Sequence, residues 1–258
     1  MTNKLKFTFL GTGTSQGIPV IGCKCSICQS TDEKDKRLRC SMLIQSETST
    51  AVIDSGPDFR QQMLRAKVTK LDGLVFTHEH KDHVAGMDDI RAFNFVQKKK
   101  INVYASQQVQ RALQREFPYI FEEEKYPGVP EIEMKTIAKN NTFSVGDIPF
   151  LPIEVFHYKL PVLAFRMKDF TYITDANQID RNSMDQIRGS KVVVINALRK
   201  EKHISHFTLN DAVEILKELD PEKGFLIHMS HQMGLHKEIN ASLPINIECA
   251  FDSLSIEC

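Results

Sequence analysis

The sequence has no excess of charge of either sign: 33 Lys and Arg stand against 33 Asp and Glu. Holding a nucleic-acid backbone takes a clustered basic surface that displaces counterions. The balance therefore argues against nucleic acid as the main partner, while leaving a small phosphate ester open. Long apolar runs are also missing. No stretch approaches the roughly 20 residues needed to cross a bilayer. Met1 to Leu10, with Lys4 and Lys6, has no apolar segment of signal-peptide length. The expected compartment is the cytoplasm, with no membrane partner. Cysteine is scarce, with six residues in 258: Cys23, Cys25, Cys28, Cys40, Cys249 and Cys258. In a reducing compartment, three thiols within six residues are poor disulfide candidates.

What is present describes an ordinary globular chain. It is 41% apolar and 26% charged, enough for a sizeable core. No composition shift, linker or long repeat divides it, so a single domain over residues 1–258 is expected. Leu5 to Leu10 alternates as a strand and runs into Gly11-Thr12-Gly13-Thr14-Ser15-Gln16-Gly17. This glycine-rich turn lacks the spacing of a dinucleotide fingerprint and the Lys-Ser/Thr of a phosphate loop, so its glycines are read as sites of close backbone approach. Ser41 to Gln45 and Thr50 to Ile53 pair as a hairpin, followed by a helix from Pro57 to Ala66. Later strands are expected at Leu71 to Phe76, Ile101 to Tyr104, Ile148 to Phe156, Val162 to Met167, Phe170 to Thr174, Lys191 to Ile195 and Phe225 to Ile227. Helices are expected after Val84 through about Gln97, over Gln107 to Glu116, and from a cap at Thr208 to Leu219. Phe117 to Asn141 reads as an irregular surface excursion, a lid or an oligomer contact; a homodimer is left open. His203 and His236 belong to no pattern and are read as surface residues.

The chemistry concentrates in Thr77-His78-Glu79-His80-Lys81-Asp82-His83, delivered by a loop at the end of a buried strand. Three imidazoles and a carboxylate gain nothing from packing, because such groups are costly to bury unpaired. A divalent metal removes the objection, since imidazole nitrogen and carboxylate oxygen are ligands for zinc, manganese and iron. His157, Asp175 and His228 also sit just beyond predicted strand ends, where a sheet fixes position and a loop supplies side chains. Together they make five imidazoles and two carboxylates, a set sufficient for two metals. Two metals roughly 3.5–4 Å apart can share a bridging hydroxide and stabilise a leaving oxygen. Asp54, at the end of another strand, would either orient a metal-binding histidine or serve as a turn residue. Cys23-x-Cys25-x-x-Cys28 looks like a metal knuckle lacking one ligand, or a group of free thiols.

These residues resemble the metallo-β-lactamase fold superfamily, whose hallmark is His-x-His-x-Asp-His. The resemblance implies an α/β (α+β) fold, a four-layer αββα sandwich. It also implies one metal on His78, His80 and His157, a second on Asp82, His83 and His228, and Asp175 between them. The opening Leu-Gly-Thr-Gly-Thr-Ser-Gln-Gly-Ile-Pro, the three cysteines and the tail Leu226-Ile227-His228-Met229-Ser230-His231-Gln232 look like the PhnP-type cyclic phosphodiesterases. That likeness implies a structural zinc on Cys23, Cys25, Cys28 and His231. It also implies a catalytic role for His206, as general acid or stabiliser of transition-state charge, where the residues alone allow a helix cap. The upstream Asn196-Ala197-Leu198-Arg199 departs from the acidic residue and Ser-His common in that family. The expected activity is metal-dependent hydrolysis of small phosphate esters, cyclic ones included, by a metal-bridging hydroxide, with Asp82 both ligand and catalytic residue. The alternatives are a ribonuclease Z-like nuclease, a glyoxalase-type thioesterase, and a non-enzymatic metal- or oxygen-binding protein. The metals themselves, manganese, zinc or iron, are not distinguished by this ligand set.

Overall fold

The computed structural model describes residues 4–258; Met1 to Asn3, the start of the stretch read for a signal peptide, lie outside the described residues. Two seven-stranded sheets carry the chain. The first contains β1 (Lys6–Gly11), β2 (Ser41–Gln45), β3 (Thr50–Ile53), β4 (Gly73–Val75), β5 (Ile101–Ala105) and β6 (Ile132–Thr136). The second contains β7 (Phe143–Val145), β8 (Ile148–His157), β9 (Leu160–Met167), β10 (Phe170–Tyr172), β11 (Val192–Asn196), β12 (Lys223–Ile227) and β13 (Ile247–Cys249). The chain then returns to the edge of the first sheet as β14 (Ser255–Glu257), antiparallel to β1. Strand order is β14-β1-β2-β3-β4-β5-β6 in one sheet and β13-β12-β11-β10-β9-β8-β7 in the other. In each sheet the strands from the middle outward run parallel, β3 to β6 and β10 to β13. Their carboxyl ends therefore gather the following loops on one side, as the positions of the histidines required.

Alternation along the strands divides the apolar residues into three cores. Phe7, Phe9, Met42, Ile44, Phe165 and Phe170 lie between the sheets. Phe7 stacks on Phe170 with ring centroids 3.8 Å apart, joining one sheet to the other. The outer face of the first sheet is covered by helices Phe59–Arg65, Arg91–Gln97 and Gln107–Glu116, through residues such as Phe59, Phe93 and Leu113. Helices Arg181–Ile187, Leu209–Leu219 and His236–Ser242 cover the second through Ile187, Leu216 and Ile239. The αββα sandwich expected from the sequence is what forms. The helix at Leu209 starts on a capping box, in which Thr208 and Asp211 satisfy each other's backbone N–H groups.

Several expectations shift. The excursion at Phe117–Asn141 contains a helical turn at Pro118–Phe121 and the edge strand β6, which pairs along its length with β5. Ile132-Glu133-Met134-Lys135-Thr136 does alternate apolar and polar residues, but the strand is short, only partly buried, and follows the irregular Glu- and Pro-containing stretch that masked it. β7, β13 and β14 are three residues each, too short to leave a periodic signal. No helix among the described residues is long and apolar enough to cross a membrane.

His236 is the clearest correction: it is buried rather than on the surface. Its backbone N–H donates to Asp35 Oδ1 at 2.7 Å, and its Nδ1 faces Arg37 Nη2 at 3.1 Å. Arg37 is itself buried, and also donates to Thr12 Oγ1 at 2.7 Å and to the Ala250 carbonyl. A guanidinium is always a donor, so Nδ1 must accept and the imidazole must be neutral. Burial first, and the Arg37 charge second, hold its pKa down at about 4. The unfolded chain then binds a proton that the folded chain refuses between about pH 6.5 and 4, so this contribution is present above pH 6.5 and lost on acidification. Stability should fall by about 1–2 kcal/mol across that window, allowing for solvent screening. His236→Gln, whose amide oxygen can accept from Arg37, should flatten that part of the pH profile in chemical denaturation. An equally steep profile in the variant would refute the assignment.

Candidate metal centre

The histidine loop follows β4, and its second half winds into a helical turn at Lys81–Val84. This places Asp82 and His83 on that turn while His78 and His80 precede it. Glu79 turns away and accepts from Gln108 Nε2 at 2.8 Å. Gly56 lets the chain leaving β3 pass beneath the loop: a Cβ there would lie 2.0 Å from the Asp82 carbonyl oxygen. Gly11 shows the close approach expected of the first glycine-rich turn, since its Cβ would lie 1.9 Å from the Arg39 carbonyl oxygen.

Asp175 sits at the meeting point, buried to 2% exposure. Its Oδ2 lies 3.7 Å from His78 Nε2, whereas Oδ1 lies 3.4 Å from His83 Nε2 and 3.1 Å from His228 Nε2. Asp82 Oδ2 is 3.3 Å from His83 Nε2 and 3.6 Å from His228 Nε2. Two ligand groups result, His78, His80 and Asp175 on one side and Asp82, His83, Asp175 and His228 on the other. One carboxylate thus presents an oxygen to each group, which fits a two-metal site. His157 stands at the edge of the first group, its ring 5.0 Å from that of His80 and 5.9 Å from that of His78. Its ligand atom also falls with those of Asp175 and His206.

Outer hydrogen bonds fix which nitrogen of His78, His83 and His157 faces the centre. His83 Nδ1 donates to Asp54 Oδ2 at 2.7 Å. Asp54 also accepts from Thr77 N–H at 2.9 Å and Thr77 Oγ1 at 2.8 Å. With its hydroxyl proton committed to Asp54, Thr77 Oγ1 accepts from His78 Nδ1 at 3.0 Å. His157 Nδ1 donates to the Ser205 carbonyl at 2.6 Å. These bonds place the ring protons on Nδ1 and leave the Nε2 lone pairs toward the centre. The Nε2 atoms of His78, His83 and His228 are buried without a hydrogen-bond partner. Leaving such atoms orphaned costs about 1–3 kcal/mol each, and divalent ions would satisfy them. The donor set fits the metals that the fold implies.

The electrostatics describe the same balance. Burial opposes charge throughout, but the carboxylates of Asp175 and Asp82 outweigh it at His83, whose pKa is raised well above the ordinary range. The same opposition leaves His228 at about 9. His83 and His228 in turn hold Asp175 and Asp82 low against burial. His78 is pushed well down by burial and by neighbouring His83, and His157 by burial.

Three further residues take part in roles the sequence did not reveal. Thr77 links Asp54 to His78. Asn196 accepts from the Ala176 N–H at 2.8 Å and donates to the Ala176 carbonyl at 2.9 Å, pinning the peptide that follows Asp175. Asn177 bridges the loops flanking the cleft, accepting from Tyr158 N–H at 2.6 Å and donating to the Ile204 carbonyl at 3.1 Å. His206 is buried, its ring 4.5 Å from that of His157 and 4.7 Å from that of His228, with Nδ1 unpartnered. Burial, then His228, keeps its pKa at about 2. His203 is exposed, as expected, against the outer side of His206.

A second cluster lies behind the first. His231 Nδ1 is 3.3, 3.5 and 3.5 Å from the Sγ atoms of Cys23, Cys25 and Cys28. A tetrahedral ion with zinc-like bond lengths would set these separations at about 3.6 Å. The Cys28 N–H donating to its sulfur is the main cause that lowers Cys25 to about 6, whereas burial raises Cys28 to about 11. Met229 N–H donates to the Thr12 carbonyl and Thr14 N–H to the Met229 carbonyl, each at 3.1 Å. The glycine-rich turn therefore clasps the segment between His228 and His231. Cys40 and Cys249 are buried and Cys258 is half-buried, all as free thiols.

A family model described as a beta-lactamase superfamily domain matches residues 50–229. The crystal structure of a diphosphatase from the PhnP family superposes with a TM-score of 0.93 at 34% identity, covering 99% of this chain and 97% of that one. An octanoyltransferase of Porphyromonas gingivalis is 34% identical over 252 residues, 97% of this chain. The chain spans about half of that relative's length, 51%. A ribonuclease Z of Methanococcus maripaludis is 23% identical over 236 residues, 88% of this chain and 67% of that protein.

Asp54 touches no ligand atom facing the centre, so its replacement isolates positioning. Asp54→Asn should weaken divalent-metal binding about 10- to 100-fold, the range for losing such a support. Competition against a chromophoric chelator measures this, and unchanged affinity would contradict the role given to the Asp54–His83 bond.

Proposed function

This chain belongs to the β-lactamase superfamily as a PhnP-like metal-dependent hydrolase, and from that premise we propose that it cleaves small phosphate esters, cyclic phosphodiesters among them, with two divalent ions. The observation that carries the proposal is the division of the Asp175 carboxylate, Oδ2 toward His78 and Oδ1 toward His83 and His228. In this reading His78, His80 and His157 hold one ion, Asp82, His83 and His228 the other, and Asp175 both; manganese, zinc and iron all suit the set. When bound, such ions acidify water and neutralise charge on phosphoryl oxygens.

The chain's own part is to position and to exclude. The Asp54, Thr77 and Ser205 contacts commit the imidazoles to one tautomer before substrate arrives, so no reorganisation accompanies reaction. His206 is held between the rings of His157 and His228, beside the ligand groups. There it offers a ring N–H to the oxygen that gains charge as the ester bond breaks. Cys23, Cys25, Cys28 and His231 would hold a structural zinc that ties the glycine-rich turn to the loop carrying His228. The similarity to a PhnP-family diphosphatase over nearly the whole of both chains supports phosphoester chemistry. Zero formal charge argues against the long polyanion of the ribonuclease Z reading. The octanoyltransferase name belongs to a protein about twice the matched length and supplies no role for the His/Asp centre.

Asp82→Ala should bring hydrolysis of an aryl phosphodiester below about 1% of wild type, with the far-UV dichroism unchanged. Retained activity would remove the metal mechanism. Cys25→Ser should leave the active-site ions in place, reduce the metal content by one equivalent in elemental analysis, and lower the melting temperature by several degrees. An unchanged metal count would contradict the structural zinc.

A further inference from the structure

The candidate ligand rings are not all held in the same way. His78, His83 and His157 are each anchored through Nδ1, to Thr77, Asp54 and the Ser205 carbonyl. His228 has no such anchor: its Nδ1 is buried, and no group among the described residues bonds to it. The aim of its Nε2 is therefore set by the main chain, which is left-handed at His228 with φ of 57°. The contacts that hold this turn are made by the next residue, Met229. Its N–H donates to the Thr12 carbonyl and its carbonyl accepts from Thr14 N–H, each at 3.1 Å. Thr12 is itself immobilised from the far side. Its hydroxyl accepts from Arg37 Nη1 at 2.7 Å and donates to Asp252 Oδ1 at 2.8 Å, so it is committed both as acceptor and as donor.

Arg37 is 4% exposed, and it also donates to the Ala250 carbonyl at 2.5 Å and to His236 Nδ1 at 3.1 Å. Its main chain bonds Ile18 in both directions at 2.8 Å. Gly13 permits this approach, since a Cβ there would lie 2.9 Å from Arg37 Cβ. A guanidinium loses its hydration on burial, and only acceptors fixed in place offset that loss. The contact with Thr12 is therefore rigid rather than adaptable. Resting on the two-metal reading, we infer that Arg37 is a positioning residue for His228, acting through the Thr12 hydroxyl and the hydrogen bond between Thr12 and Met229. It governs the ion on Asp82, His83 and His228 and leaves the one on His78, His80 and His157 alone. Three ligands are thus oriented through the far nitrogen of the ring, and the fourth through its backbone.

Thr12→Val removes the hydroxyl while keeping the carbonyl and nearly the same volume, and Arg37→Met breaks the chain of contacts one link earlier. Manganese titration of the full-length variants against a chromophoric chelator should show one active-site affinity weakened about tenfold or more and the other within about twofold of wild type, the order of effect when a ligand loses its orienting partner. Thr12→Ser, which restores the hydroxyl, should return both affinities to wild type. Equal weakening of both ions would mark a general loss of structure and overturn the proposal, as would unchanged affinities in either folded variant. If Arg37→Met does not fold, Thr12→Val decides. Amide hydrogen exchange reads the same contact without any ion. The Met229 amide should exchange about tenfold faster in Thr12→Val, the loss expected for one weakened hydrogen bond, with Leu226 and Ile227 of β12 unchanged. Exchange accelerated along all of β12, no change at Met229, or a wild-type Met229 amide as open as one in an exposed loop would each overturn the positioning role. If wild type takes up no manganese but Met229 responds as expected, the two-metal reading fails and the hold on His228 stands. Two bound ions with no response at Met229 remove the positioning role alone.

Discussion

Two buried carboxylates, Asp175 and Asp82, face the imidazoles of His83 and His228 at 3.1–3.6 Å. Neither set is tolerable alone: bare carboxylates in a buried site lose their hydration, and so do bare imidazolium ions. Their mutual dependence explains why His83 and His228 are driven upward while Asp175 and Asp82 are driven down. A divalent ion would take the place of the protons that now balance the carboxylates, so metal binding and proton release are linked at this site. The two sheets are the scaffold for that exchange. Each parallel half supplies strand ends on the same side, and the aromatic contacts between sheets, such as Phe7 on Phe170, keep the halves in register.

Much of this was legible in the sequence because strand ends can be read from apolar runs. β4, β8 and β12 stop within a residue or two of the positions expected, and His78, His157 and His228 follow or terminate them. The motif itself identified the ligand types. Sequence periodicity could not reveal the backbone conformation at the strand ends. Asp54, Asp175 and His228 all have positive φ, at 63°, 52° and 57°. Glycine normally announces such a turn; here none of the three is glycine, since each must contribute a side chain. The strain, of order 1 kcal/mol or more per residue, is held by groups distant in sequence. Asn196 pins the peptide after Asp175, and the Thr12 carbonyl receives the N–H just after His228.

The same reasoning accounts for what was misplaced. His236 belongs to no periodic stretch, and its burial follows from Arg37 and Asp35, about 200 residues earlier. Edge strands β7, β13 and β14 are three residues each, too short to read as strands, and the alternation of β6 is hidden beside irregular sequence, although all four complete the sheets. Thr77 and Asn177 bear ordinary side chains whose importance is visible only once their partners are placed.

The left-handed residues near the site fall into two kinds, functional positions and turns. Asp175 and His228 are turned toward the candidate metals, and Asp54 is turned toward His83. Tyr158 repeats the device one residue beyond His157, but its side chain is apolar and faces the open cleft. Strain is retained only where surrounding bonds compensate for it, and at Tyr158 the hairpin compensates, since Tyr158-Lys159 is the two-residue turn between the paired residues His157 and Leu160. Lys168 holds the same conformation in the two-residue turn between Met167 and Phe170, so at these two positions the left-handed backbone marks a hairpin and not a ligand.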